Sequence, residues 1–363
     1  MLYYLLYSFH DSVSFFNIFR YITFRASMAA VTAFLLCLIF GPAIIRWLKR
    51  MSIGQNIRGR QESEKLHDLH KSKQGTPTMG GVMILLAVFL STLLWAELNN
   101  RYILLVLFAT AWLGLTGFMD DYLKHIRKCS QGLTAASKFT SQILLGLFLG
   151  VTLYMMPMHT TRLDIPFFKE MWVELGAVYI LFVIVVITGS SNAVNLTDGL
   201  DGLAIGCVVF TAIAFSILCY VTGNIKFSNY LLIPFIKVSA ELTIFCASII
   251  GAGLGFLWFN CYPAQIFMGD VGALSLGGAL GLVALLIKKE MLLVIVGGIF
   301  VAEALSVIIQ VAWFKLTGKR IFKCSPLHHH FQFLGWQENK IIVRFWIVAS
   351  ILTLLTLVTL KIR

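Results

Sequence analysis

YILLVLFATAWLGLTGFM, residues 102–119, holds no charged side chain and then stops on Asp120-Asp121. A spanning helix needs about twenty apolar residues. In lipid the backbone must satisfy its own hydrogen bonds, and a helix does so within one segment. The stretch therefore reads as a transmembrane helix that delivers two carboxylates to one membrane face. Working outward, the same pattern recurs at 21–46, 77–96, 138–157, 173–190, 202–222, 241–259, 271–287, 291–314 and 342–360. The span 291–314 is the least typical, because it carries Glu303 and Gln310.

Composition agrees. The chain is 58% hydrophobic and 13% charged, with a mean hydropathy of +0.84, whereas a soluble domain is about half apolar and a quarter charged. The expectation is an all-α polytopic membrane protein: ten transmembrane helices in a single domain, 1–363. MLYYLLYSF at the start lacks the basic region of a signal peptide and reads as an interfacial segment. Loops after the odd-numbered spans hold the larger share of the 29 Lys and Arg. Positive charge collects in the cytoplasm, which puts both termini on the periplasmic side.

The net charge of +12 suits anionic lipid and an anionic substrate. It does not suggest nucleic acid, since the basic residues are scattered over loops with no binding module. The seven cysteines form no C-x-x-C pair, so neither a disulfide framework nor a zinc site follows. No inverted repeat is evident, which weighs against a secondary transporter.

The outward loops are plain. The inward ones are HDLHKSKQGTPTMGG (67–81), GFMDDYLKHIRK (117–128), NAVNLTDGLDGLA (192–204), WFNCYPAQIFMGDVGA (258–273) and SPLHHHFQ (325–332). Five segments distant in sequence thus meet on one face, where a site is expected.

Asp120 and Asp121 are helix neighbours about 100° apart, so they should divide their roles, one facing the site. Lys124 follows Asp120 by four residues and offers a simple ion pair as the bland alternative. Asp270 stands before a span, where capping is the ordinary reading. Asn195, Asp198 and Asp201 are spaced three apart and could share one face of a helical turn. Their oxygens are hard ligands that suit Mg²⁺, which binds one or two carboxylates plus substrate phosphates. His328, His329 and His330 are consecutive, unlike the spaced histidines of zinc sites, and better suit phosphate oxygens. Lys73 and Thr78 lie in a glycine-containing stretch that is not a Walker A loop. Phe267 could stack on a base. Together these residues suit phosphoryl transfer at a water–lipid boundary, which works mainly by positioning and charge neutralisation.

GTPTMGG, FMDDYLK, NAVNLTDGLDGLA, GFLWFNCYPAQIFMGDVG and SPLHHHFQ closely resemble the phospho-N-acetylmuramoyl-pentapeptide transferases, a branch of the polyprenyl-phosphate N-acetylhexosamine-1-phosphate transferases. The resemblance runs from TFRA at 23 to IVRFW at 342. It implies an enzyme of the bacterial inner membrane, with its active site facing the cytoplasm, that acts in peptidoglycan synthesis. UDP-N-acetylmuramoyl-pentapeptide and undecaprenyl phosphate would give lipid I and UMP, with Mg²⁺ as cofactor and a homodimer as the assembly. It implies metal binding at Asp270 and Asn195, and proton removal from the lipid phosphate at Asp120 or Asp121. Uridine recognition would fall on Lys73, Asp198, Gly199, Leu200, Asn260 and Phe267. The histidine triplet and Lys138 would serve phosphates or the sugar-peptide. Direct transfer and a covalent aspartyl intermediate both remain open. A sister enzyme using UDP-N-acetylglucosamine is the near alternative, and a cation-coupled transporter the distant one.

Overall fold

The computed structural model describes residues 6–7, 14–51, 75–125, 132–157, 159–165 and 172–361. Lys73 and most of MLYYLLYSF lie outside the described residues. Thirteen helices are described: α1 (Ile22–Arg50), α2 (Gly81–Trp95), α3 (Arg101–His125), α4 (Ala135–Met155), α5 (Val178–Thr197), α6 (Leu203–Thr222), α7 (Ile225–Leu231), α8 (Leu242–Asn260), α9 (Gly269–Leu286), α10 (Glu290–Val296), α11 (Gly298–Thr317), α12 (Leu327–Phe333) and α13 (Glu338–Val358). Nine described helices are long and apolar enough to cross a membrane, and Gly81–Trp95 is a shorter apolar tenth.

Local chemistry explains several boundaries. Asn100 opens α3 by accepting from the Tyr102 N–H at 2.9 Å. Thr134 caps α4 by accepting from the Ser137 N–H at 3.1 Å. Many hydroxyls inside the spans bond back to carbonyls four residues earlier, as Thr110 does to Val106 at 2.6 Å, which satisfies them within their own helix.

Two differences from the sequence reading have physical causes. The expected span 291–314 is two helices, broken at Gly297-Gly298. The expected start at 173 moves to Val178, because Trp172–Glu174 pairs antiparallel with Arg162–Asp164 as a two-stranded ribbon. Arg162 closes that ribbon, with its guanidinium carbon 4.2 Å from the Trp172 ring centre. Among the described residues the bundle is otherwise helical.

Helix α9 forms the centre, packed on α3 and α5, while α8 packs on α1 and α6. Helices α3, α5 and α8 end where α4, α6 and α9 begin, so one end of the bundle gathers the loops that carry the polar motifs. The opposite end is locked by two buried polar groups. Arg25 grips Glu241 through two bonds, at 2.8 and 2.6 Å, and Glu241 also accepts from the Glu97 N–H at 2.9 Å. Nearby, His159 meets the Tyr179 hydroxyl at 2.9 Å, which donates to Glu290 at 3.1 Å, itself paired with Lys288 at 2.7 Å. Burial, reinforced by Lys288, pushes the His159 imidazole down to about 3.

Candidate active site

The polar end contains a cavity of about 310 Å³ lined by Thr78, Asp121, Lys124, Asn195, Asp198, Gly199, Leu200, Asp201, Asn260, Phe267, Gly269, Asp270 and His329. All five motif segments contribute. Asp120 and Lys138 stand directly behind the carboxylates.

Glycines permit this convergence. A methyl group on Gly117 would lie 2.3 Å from the Asp270 carbonyl oxygen, so α3 and the start of α9 meet backbone to backbone. Gly269 has φ +72°, and a methyl there would lie 2.5 Å from Asp121 Oδ2. Asp120, Asp121 and Asp270 consequently each place an oxygen within 4.8 Å of the others.

The neighbouring acids do divide. Asp120 is fully buried. Its Oδ1 accepts from the Leu133 N–H at 2.8 Å, and its Oδ2 pairs with Lys138 at 2.6 Å and with Lys124. Asp121 points to the start of α9, where it accepts from the Val271 N–H at 3.4 Å, and it faces the cavity. Lys138 also pairs with Asp270, and Lys124 lies 3.4 Å from it. Asp270 is not a cap: it sits inside the first turn, after Met268, where the helix dipole favours a carboxylate. With all three carboxyls ionised, as beside a divalent ion, three carboxylates against two ammoniums leave one net negative charge. This oxygen-rich set already brackets two cations, and it fits a hard divalent ion.

Asn195, Asp198 and Asp201 do not share a helical turn. Helix α5 ends at Thr197, and Gly202 at φ +75° stands just before α6. All three still line the cavity. Asp201 accepts from the Ala264 N–H at 3.0 Å, and its own N–H donates to Glu338 at 3.1 Å. Asn260 accepts from the Gly202 N–H at 3.0 Å and donates to the Ile266 carbonyl at 2.7 Å. These two side chains bind the 261–267 loop to the α5–α6 turn and so hold Phe267 over the cavity. From the other side the Phe267 N–H donates to the Pro77 carbonyl at 2.8 Å, which sets Thr78 beside it.

The three histidines meet different surroundings, although the His328 and His329 ring centres lie 4.2 Å apart. His329 lines the cavity. His328 is buried against Gly199. His330 turns to the 318–326 loop, where its Nδ1 accepts from the Lys323 N–H at 3.1 Å.

Sequence reasoning missed Glu338, Gln142 and Asn192. Asn192 donates to Gln142 at 2.7 Å, just below Lys138. Glu338 gives no signal, being one acid in a polar loop. Also missed was an apolar trough in two parts. A cavity of about 540 Å³ begins at Lys138 and Asn195. It shares Gly189, Ala193 and Ala304 with a second of about 460 Å³ that reaches Glu290. A greasy chain entering there would end at the carboxylates.

The profile of the family described as Glycosyl transferase family 4 matches residues 103–288. Phospho-N-acetylmuramoyl-pentapeptide-transferase signature 1 matches residues 73–85. Proteins named phospho-N-acetylmuramoyl-pentapeptide-transferase from Desulforapulum autotrophicum, Syntrophus aciditrophicus and Desulfosudis oleivorans are 51%, 52% and 53% identical to this chain. Each alignment covers 100% of both sequences.

Proposed function

The chain belongs to the phospho-N-acetylmuramoyl-pentapeptide-transferase family, and from that premise we propose that it transfers phospho-N-acetylmuramoyl-pentapeptide from UDP to undecaprenyl phosphate, giving lipid I and UMP. One juxtaposition carries the reading: a polar cavity sized for a nucleotide meets an apolar trough at Lys138 and Asn195, beside three carboxylates.

The uridine stacks on Phe267 and is bounded by Asp198, Gly199 and Leu200. The trough takes the polyprenyl chain and brings its phosphate to Lys138. Mg²⁺, held by Asp270 with Asn195 and its carboxylate neighbours, would neutralise charge on the pyrophosphate. Asp121, which faces the cavity with one long bond, takes the proton from the lipid phosphate. Asp120 is too tightly held by two lysines and the Leu133 amide to serve as base. An oxygen of the lipid phosphate then attacks the sugar-bearing phosphorus, and the bond to the α-phosphate breaks to release UMP. Lys124 and Lys138 offset the negative charge that gathers there. We place this single membrane domain, 1–363, in the bacterial cytoplasmic membrane, with the site toward the cytoplasm, both termini periplasmic, and a homodimer as the assembly.

Mixing purified protein, Mg²⁺, undecaprenyl phosphate and UDP-N-acetylmuramoyl-pentapeptide should release UMP and form a lipid-linked product. Equal turnover of UDP-N-acetylglucosamine would overturn the substrate assignment.

A further inference from the structure

Glu303 lies in the second turn of α11 and is 0% exposed. A carboxylate at membrane depth is costly and is kept where it is paired or functional. Both of its oxygens address one residue. Oε1 accepts from the His328 N–H at 3.2 Å, and Oε2 lies 3.1 Å from His328 Nδ1. The first contact is a hydrogen bond and the second a close polar approach, since neither Nδ1 nor Oε2 has a hydrogen-bond partner among the described residues; together they seat the Nδ1 edge of the imidazole against the carboxylate. The other nitrogen, Nε2, is buried with no hydrogen-bond partner among the described residues. It abuts Gly199, where a methyl group would lie 2.2 Å away. Gly199 forms the cavity wall between Asp198 and Leu200. On the other side, Ala304, next in sequence to Glu303, lines both parts of the apolar trough.

We propose that Glu303 is a positioning residue: acting through His328, it fixes the Asp198–Gly199–Leu200 turn of the nucleotide cavity and ties that turn to the wall of the lipid trough. The proposal rests on the nucleotide reading of the cavity. A carboxylate with a purely structural part would be replaceable by an apolar side chain of similar shape with no effect on substrate affinity.

The test uses the full-length protein in detergent, with UMP affinity by calorimetry and steady-state UMP release. E303Q keeps the shape and one acceptor for the His328 amide, whereas E303L keeps neither. E303L should weaken UMP binding and raise KM for the nucleotide substrate at least tenfold, with a smaller change in kcat, and E303Q should recover most of the loss. Effects of E303L and G199A should fall well short of adding, because both disturb one contact. E303L with wild-type UMP affinity, or with kcat lowered and nucleotide KM unchanged, would overturn the proposal. Should E303L fail to fold, wild-type UMP affinity in H328A would overturn it instead, because His328 is the link through which Glu303 reaches Gly199. A wild-type chain that binds no UMP would overturn the nucleotide reading, a result distinct from either.

Discussion

Asp270→Asn isolates the charge balance on which the site depends. The wild-type cluster sets Asp120, Asp121 and Asp270 against Lys124 and Lys138, a balance of one negative charge. The substitution keeps the shape and brings the balance to zero. A divalent cation about 4 Å from one carboxylate gains about 2 kcal/mol at the dielectric of water and about 8 kcal/mol at an effective value near 20. Even the lower figure is about 30-fold in affinity. Lys138, released from one partner, also remains to repel the ion. UMP release titrated with Mg²⁺ should therefore show half-saturation displaced at least 30-fold in Asp270→Asn, with UMP affinity measured without metal nearly unchanged. Half-saturation within threefold of wild type would refute the charge argument, because the cation would then be held elsewhere.

Other outcomes follow from separate parts of the structure. Phe267→Ala should weaken UMP roughly 5- to 150-fold, from about 1–3 kcal/mol of stacking per base, and leave KM for undecaprenyl phosphate unchanged; equal UMP affinity would make Phe267 a packing residue. Gly117→Ala should cut turnover more than Gly114→Ala does, because the first meets the Asp270 backbone and the second meets the mobile end of Leu85; the reverse order in UMP release would contradict the backbone contact. His159 is held neutral by burial, with its pKa lowered to about 3. Stability from this group is present above the unfolded value near 6.5 and is lost as pH falls toward the folded one. Thermal melts in detergent should lose about 2 kcal/mol of stability from this source by pH 5, and His159→Gln should flatten that dependence. A wild-type melting profile independent of pH between 7 and 5 would contradict the buried neutral imidazole.

Much of the site was legible because membrane helices make polar residues conspicuous. Asp120, Asp121 and Asp270 stood out at the ends of apolar runs, and Glu303 stood out inside one. What sequence could not assign was direction. Asp120 turns to Lys138 and Asp121 to the cavity because Gly117 lets α3 approach α9, which no local pattern encodes. The same holds for the histidines, where one faces the cavity and another is held behind Gly199 by Glu303. The break at Gly297-Gly298 was hidden by continuous hydrophobicity on both sides. The trough was hidden too, since a groove for lipid and a face toward lipid use the same residues. Asp201 and Asn260 were read as binding groups from their chemistry. Their hydrogen bonds to the Ala264 amide and the Ile266 carbonyl show a further task, holding the loop that carries Phe267.

Single-turnover mixing of enzyme in excess over labelled UDP-N-acetylmuramoyl-pentapeptide tests most directly whether both substrates meet at one site in one displacement. With Mg²⁺ but without undecaprenyl phosphate, no UMP should appear, and adding the lipid should release it stoichiometrically with label passing to the lipid. A stoichiometric burst of UMP before lipid is added, with label retained on the protein, would contradict direct transfer at Asp121 and Asp270.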